Sequence, residues 1–402
     1  MSRTTVLPRA RGKLLVSETS VEDGSRPGMV LAGVGLIATC YGFARFTYGL
    51  FSPTFQSEFA LNATWSGWIG SGGYVGYCLA IVLSAVLTPR WGPRRVAVLA
   101  GVVATTGIGV VAVASSAPLL AVGLVVAGSS TGIASPPLAA AVARWVRRPV
   151  QDRAQTLVNA GTGVGVLVSG PIAFVLLDHW RWAWAVFALS TAVVTWRVHA
   201  TVPRGRGLTD EDQGTPTRQA RRPAGATVLM IASFVMGVSS VAVWTLGREL
   251  LTVEGHRSAL LASMMWTLIG SAGIAGAFSG PLVGRIGIRA SWGILMLALG
   301  AASAGLAAAP SKAWVVVLAA AAFGASYIAL TGVALVWVTR LYPGRAAFGV
   351  GASFFMIAAG QAIGALLVGI GAPELGLPDV FYACAAIALA GAALPLLPSS
   401  RL

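Results

Sequence analysis

A chain of 402 residues that is 56% hydrophobic and only 10% charged carries more apolar surface than a water-soluble fold of its length can hide. Its net charge of +15 would point to nucleic acid in a soluble protein, but the basic residues here follow a topological pattern, so no nucleic-acid partner is expected. Apolar windows near the ~20 residues that span a bilayer as a helix recur along the chain, which reads as a polytopic helical membrane protein embedded in lipid rather than a barrel.

Residues 1–28 are polar and basic and read as an uncleaved cytoplasmic N-terminal tail. Helices are expected near 29–51, 66–88, 95–115, 117–142, 155–177 and 181–199, making a first six-helix bundle over 29–199. Residues 200–225, TVPRGRGLTDEDQGTPTRQARRPAGA, combine Pro, Gly and mixed charge and read as a flexible cytoplasmic linker. Helices near 226–247, 259–283, 291–309, 313–338, 346–372 and 378–398 make a second bundle over 226–398, with 399–402 a cytoplasmic C-terminus. The predicted fold is all-α, with twelve transmembrane helices in two pseudo-symmetric six-helix bundles. Sorting loops by side places 23 Lys and Arg on one face against four on the other (Arg181, Arg248, Arg257 and Lys312). That asymmetry puts both termini in the cytoplasm.

The remaining basic residue is Arg45, in the stretch YGFARFTYGLFSP of the first helix. An arginine at a helix centre costs about 2.5–3.5 kcal/mol on insertion scales. It either snorkels toward the interface as a structural anchor, or faces a water-filled cavity and meets an anionic substrate group. Tyr41 at i−4 and Tyr48 at i+3 share its face on α-helical spacing, which favours a pocket wall over a lipid face. Further candidates for the substrate site follow in chain order: Tyr74 and Tyr77 on the second helix, Trp244 on the seventh, Trp266 on the eighth, Tyr327 and Thr331 on the tenth, and Gln361 on the eleventh. Packing is the competing explanation for each aromatic. The Gln361 amide requires a partner if it lies in lipid. Ser135-Pro136-Pro137 is expected to bend the fourth helix, either opening carbonyls to a cavity or serving helix packing.

No Asp or Glu falls in the middle of a predicted helix, and Glu249 at the end of the seventh is the least implausible proton carrier. Cys40, Cys78 and Cys384 lie in apolar segments, and the three histidines are scattered. No catalytic constellation, phosphate loop or metal cluster is present in the sequence. Neither enzymatic activity, a cofactor nor a metal is expected.

The halves repeat at a shift of about 195 residues: Leu87-x-x-Arg90-x-Gly92 matches Leu282-x-x-Arg285-x-Gly287, Arg144 matches Arg340, Gly165 matches Gly360, and Gly170 matches Gly364. With these motifs the chain resembles the major facilitator superfamily over about residues 29–398. The superfamily's loop after helix 2, roughly G-x-L-a-D-r-x-G-r-r, appears as AVLTPRWGPRR and again as GPLVGRIGIR, with Pro89 and Gly284 where the acidic residue stands. A gate with less charge pairing is expected, built on Arg90, Gly92, Arg144, Arg285, Gly287 and Arg340. GFARFTYGL, GYVGY, SGP and GQAIG resemble its YbfB/YjiJ-like branch.

The resemblance implies that helices 1, 4, 7 and 10 line a cavity, and that helix 2 faces 11 and helix 5 faces 8. The pairs Gly72/Gly76, Gly161/Gly165, Gly276/Gly280 and Gly360/Gly364 are then expected on smooth sliding surfaces between halves. It also implies a secondary transporter that moves a small organic solute across the cytoplasmic membrane by alternating access; a monomer is expected. An anionic or carboxylate-bearing solute is the reading from Arg45. A multidrug exporter is the alternative, weakened because only Gly170-Pro171 survives of the exporters' helix-5 pattern. A non-transporting receptor is a third.

Overall fold

The computed structural model describes residues 26–61, 63–176, 179–205, 223–343 and 345–396. Most of the expected tail and linker lies outside these residues. Among the described residues every regular element is a helix. The first, α1, runs in three contiguous pieces: α-helical Pro27–Ile37, π-helical Ala38–Phe46 and α-helical Thr47–Phe59. It is followed by α2 (Ala63–Trp91), α3 (Pro93–Ala112), α4 (Ala117–Trp145), α5 (Arg148–Val175) and α6 (Trp180–Thr201). The second half begins with α7 (Ala226–Val253). Next, α8 starts as Ala259–Gly273 and passes through a 3₁₀ turn, Ile274–Phe278. The helix Ser279–Ala308 that continues it is broken at Gly287, and the part beyond is α9. The last elements are α10 (Ala313–Leu341), α11 (Ala346–Leu375) and α12 (Leu377–Ala392).

Ten stretches of the described residues are long and apolar enough to cross a membrane; one, Ser263–Ala308, is 46 residues long and holds the break at Gly287. The 22-residue α6 is not among the ten but packs against α3 and α1. These rods are compatible with twelve spans. Large apolar side chains point outward along their length, among them Leu79, Leu189 and Phe278. Water would not tolerate that belt, whereas lipid does. Exposed Trp91, Trp182, Trp196 and Trp314 stand near helix ends, where indoles favour the membrane interface.

The sequence repeat is also a packing repeat. In the first half α1 packs on α5 and α6, and α4 on α2 and α3, with α3 on α6. In the second half α7 packs on α11 and α12, and α10 on α8 and α9, with α9 on α12. Across the halves α2 meets α11 and α5 meets α8, while α4 also meets α11 and α5 meets α10.

The expected sliding role of the glycine pairs is corrected by where they point. A Cβ on Gly161 or Gly165 would meet the carbonyls of Val34 or Ala38 on α1, not α8. Gly360 and Gly364 face Phe234 and Val238 on α7, Gly72 and Gly76 face α4, and Gly276 faces Ile328 on α10. These motifs lock helices inside each half, because close backbone approach is what removes room for a side chain. Gly280 alone of the eight faces the other half, at Asp152. The α5–α8 surface is lined instead by Gly163 against Gly270, and by Gly170 against Thr267. Pro171 lies inside α5, beside that contact.

Two helix boundaries differ in ways that matter. Helix α5 starts at Arg148 rather than near 155, with a proline at its first turn. The Gln151 amide caps the end of α4 by donating to the carbonyls of Ala143 (2.9 Å) and Val146 (2.8 Å). Helix α1 continues to Phe59, so Arg45 lies near its middle rather than toward an end. Helix α4 runs continuously through Pro136 and Pro137.

Candidate functional site

The site begins with the π-helical segment. Gly42 lies against Gly165, where an added Cβ would sit 2.4 Å from backbone, so α1 and α5 touch main chain to main chain. Widening a helix to π geometry displaces carbonyls from the ordinary ladder. Two in this segment accept from side chains: Cys40 O from Thr131 Oγ1 at 3.0 Å, and Gly42 O from Thr47 Oγ1 at 2.8 Å. From this segment Tyr41 and Arg45 project into the protein.

Arg45 is half-buried at the meeting of the two halves. Its Nη2 donates to Gln361 Oε1 on α11 at 2.6 Å, and Gln361 Nε2 donates to the Tyr327 hydroxyl on α10 at 3.1 Å. Its guanidinium carbon lies 5.2 Å from the Tyr74 ring centroid, 4.9 Å from that of Tyr77 and 5.2 Å from that of Phe46. Such contacts stabilise a desolvated cation by about 2 kcal/mol. Among the described residues no carboxylate forms an ion pair with it. The Tyr41 hydroxyl is 2.9 Å from Ser135 Oγ and 3.4 Å from the Tyr77 hydroxyl, tying α1 to α4 and α2.

An aromatic wall adjoins the cation. Trp244 stacks on Phe46 with centroids 4.2 Å apart and meets Trp266, Phe323 and Tyr327 edge-on at 5.5, 5.5 and 5.2 Å. The indole N–H groups of Trp244 and Trp266 are buried without a protein acceptor among the described residues. The wall and the cation together offer one positive charge, hydroxyl groups and flat apolar faces.

Of the sequence candidates, Arg45, Tyr41, Tyr74, Tyr77, Trp244, Trp266, Tyr327 and Gln361 come together. Tyr48 is half-buried and stacks on Phe55 at 6.1 Å. Thr331 goes elsewhere: its hydroxyl accepts from Asn159 Nδ2 at 2.8 Å, and Asn159 also donates to Ile328 O at 3.1 Å. Asn159, on α5, is buried and was not a candidate, although the argument applied to the Gln361 amide applied equally to it. Phe46 and Phe323 were also missed, since an aromatic in an apolar run carries no distinguishing mark.

The two halves are bridged on both sides of the Arg45 cluster. Toward the end that carries the α2–α3 turn, Thr156 donates to Ala277 O at 3.0 Å and Arg340 pairs with Asp152 at 2.6 Å. Toward the other end, Arg248 donates to Leu50 O at 2.8 Å. Of the expected gate residues, Arg340 thus has an acidic partner in the opposite half, but on α5 rather than in the signature loop. Arg144 lies over Trp145 at 5.4 Å, while Arg90 and Arg285 are exposed. Gly92 and Gly287 form the two tight turns.

A family model described as Major Facilitator Superfamily matches residues 34–354. Monocarboxylate transporter 12 of Mus musculus is 26% identical over 208 residues, 52% of this chain and 42% of its own length. Niacin transporter NiaP of Acinetobacter baylyi is 26% identical over 183 residues, 44% of this chain and 42% of its own length. The chain therefore spans less than half the length of these curated relatives. The crystal structure of the human organic anion transporter MFSD10 (TETRAN) superposes with a TM-score of 0.76 at 17% identity, covering 92% of this chain and 99% of that one.

Proposed function

Because the chain belongs to the Major Facilitator Superfamily, we propose that it carries a small organic anion, with a carboxylate and an aromatic or apolar body, across the cytoplasmic membrane by alternating access of its two halves. The observation that carries this reading is Arg45: a guanidinium near the middle of α1, at the junction of the halves, without a carboxylate partner among the described residues. A carboxylate binds such a group bidentately and strongly when water is excluded. The ring faces of Trp244, Phe46 and Tyr327 suit the body of the solute, and the two indole N–H groups suit acceptor atoms on it. The names of the relatives, which carry monocarboxylates, niacin or organic anions, support the same chemistry. The arginine asymmetry supports both termini in the cytoplasm.

The test is uptake and counterflow in proteoliposomes with a panel of aromatic and aliphatic monocarboxylates, comparing wild type with Arg45→Lys and Arg45→Gln. Lysine keeps the charge and loses the planar fork, so affinity falls. Glutamine removes the charge and costs about 2–5 kcal/mol of binding. Equal flux in all three proteins at matched expression would leave Arg45 as a helix anchor and end this reading.

A further inference from the structure

The partner of Arg45 is an amide, and its chemistry has a consequence for how the empty protein behaves. Gln361 is fully buried and lies in the opposite half from Arg45. Its carbonyl oxygen occupies one of the positions a carboxylate oxygen would take on the guanidinium, at 2.6 Å. Its other end is fixed by donation to Tyr327, which orients the oxygen toward Arg45 rather than the nitrogen. An isolated buried guanidinium is costly, and closing the halves around it would be slow unless an acceptor is supplied. A neutral amide supplies one that a charged carboxylate outcompetes, because the carboxylate adds ion–ion attraction and a second, parallel hydrogen bond to the guanidinium.

We infer that Gln361 is an internal stand-in for the substrate carboxylate: it satisfies Arg45 when the carrier is empty and yields to the carboxylate when substrate enters. The inference rests on the reading of Arg45 as the anion site. Its consequence is kinetic. An empty carrier whose cation is already satisfied can close and return, so transport is net movement rather than obligatory exchange. Leucine at position 361 would leave Arg45 unsatisfied only in the empty protein. Glutamate would neutralise Arg45 permanently and exclude the substrate.

The experiment uses the full chain in proteoliposomes with radiolabelled benzoate as the probe, measuring net efflux into benzoate-free buffer and benzoate–benzoate exchange. In parallel, switching of the empty protein is followed by single-molecule fluorescence between dyes at positions 95 and 289, just beyond the two turns related by the repeat. For Gln361→Leu, empty switching falls about tenfold and net efflux falls further than exchange does. For Gln361→Glu the pattern inverts: empty switching persists and exchange is lost. A purely structural role would lower net efflux and exchange together in both variants, and that result overturns the inference. So does unchanged switching of the empty Gln361→Leu protein. Failure of the wild type to carry or bind benzoate or any other monocarboxylate would instead overturn the anion reading, with empty switching still reporting on Gln361.

Discussion

Gly92 and Gly287 hold the same backbone conformation, φ 83°, ψ 154° and φ 80°, ψ 167°, in the two turns that the repeat makes equivalent. Only glycine adopts this region without strain. The residue kept at these turns is thus the one required by geometry, while the acidic residue of the family's loop is replaced by Pro89 and Gly284.

Gly287→Ala should destabilise the protein by about 1–3 kcal/mol through backbone strain alone, because no atom lies within 4 Å of the added Cβ. Gly284 has equally open surroundings but lies in helix without a positive φ. Gly284→Ala should therefore be neutral or stabilising by up to about 1 kcal/mol. Thermal unfolding of both variants in detergent separates the two causes, and equal shifts would contradict the strain argument.

Gly165→Ala and Gly360→Ala should both lower folded yield severely, since the new Cβ would sit 2.0 Å from Ala38 O and 2.1 Å from Phe234 O. Backbone cannot give way as a side chain can. Gly73→Ala meets nothing within 4 Å and serves as the control. Size-exclusion profiles at matched expression report the outcome, and monodisperse Gly165→Ala protein at wild-type yield would contradict it.

The Arg340–Asp152 pair joins the halves at one end, with side chains 48% and 37% exposed. An ion pair this exposed contributes about 0–1 kcal/mol to stability. Asp152→Asn should leave the unfolding temperature nearly unchanged while raising thiol-reagent access at that end, and the double exchange Asp152→Arg with Arg340→Asp should restore closure. Unaltered access in the single variant would show that the pair does not hold that end shut.

Glu249 is exposed near the end of α7. Glu249→Gln should retain most flux, and flux that loses its dependence on a pH gradient in this variant would reveal a protein-borne proton carrier.

For orientation, a membrane-impermeant thiol reagent should reach Leu375→Cys from outside intact cells and Asp212→Cys only after permeabilisation. Labelling at 212 in intact cells would invert the topology.

Composition and charge pattern were enough to read the helices, since ~20-residue apolar runs and arginine bias are set by the bilayer itself. Arg45 and Gln361 were legible for the same reason, because each is costly in lipid without a partner. Their pairing was not, as it depends on which faces meet across the halves. The π-helical turn between Ala38 and Phe46 alters that relation, and α-helical spacing cannot anticipate it. The same limit applies to the glycine pairs. Spacing marks them as sites of close approach, but the neighbour they approach is decided by helix rotation. Asn159 was readable on chemistry alone, as a buried amide that needs a partner in lipid.

The placement of Arg45 near the middle of α1 also sets how membrane voltage acts on the protein. A full elementary charge crossing the membrane field exchanges about 2.3 kcal/mol per 100 mV. With Gln361 as its partner, Arg45 keeps its whole charge. With a monocarboxylate it becomes part of a neutral pair. When the halves rock and aqueous access passes from one side of Arg45 to the other, the field acts on the empty protein and not on the loaded one. On the proposed anion reading, voltage would therefore govern the return stroke, and the step that carries cargo would be electrically silent.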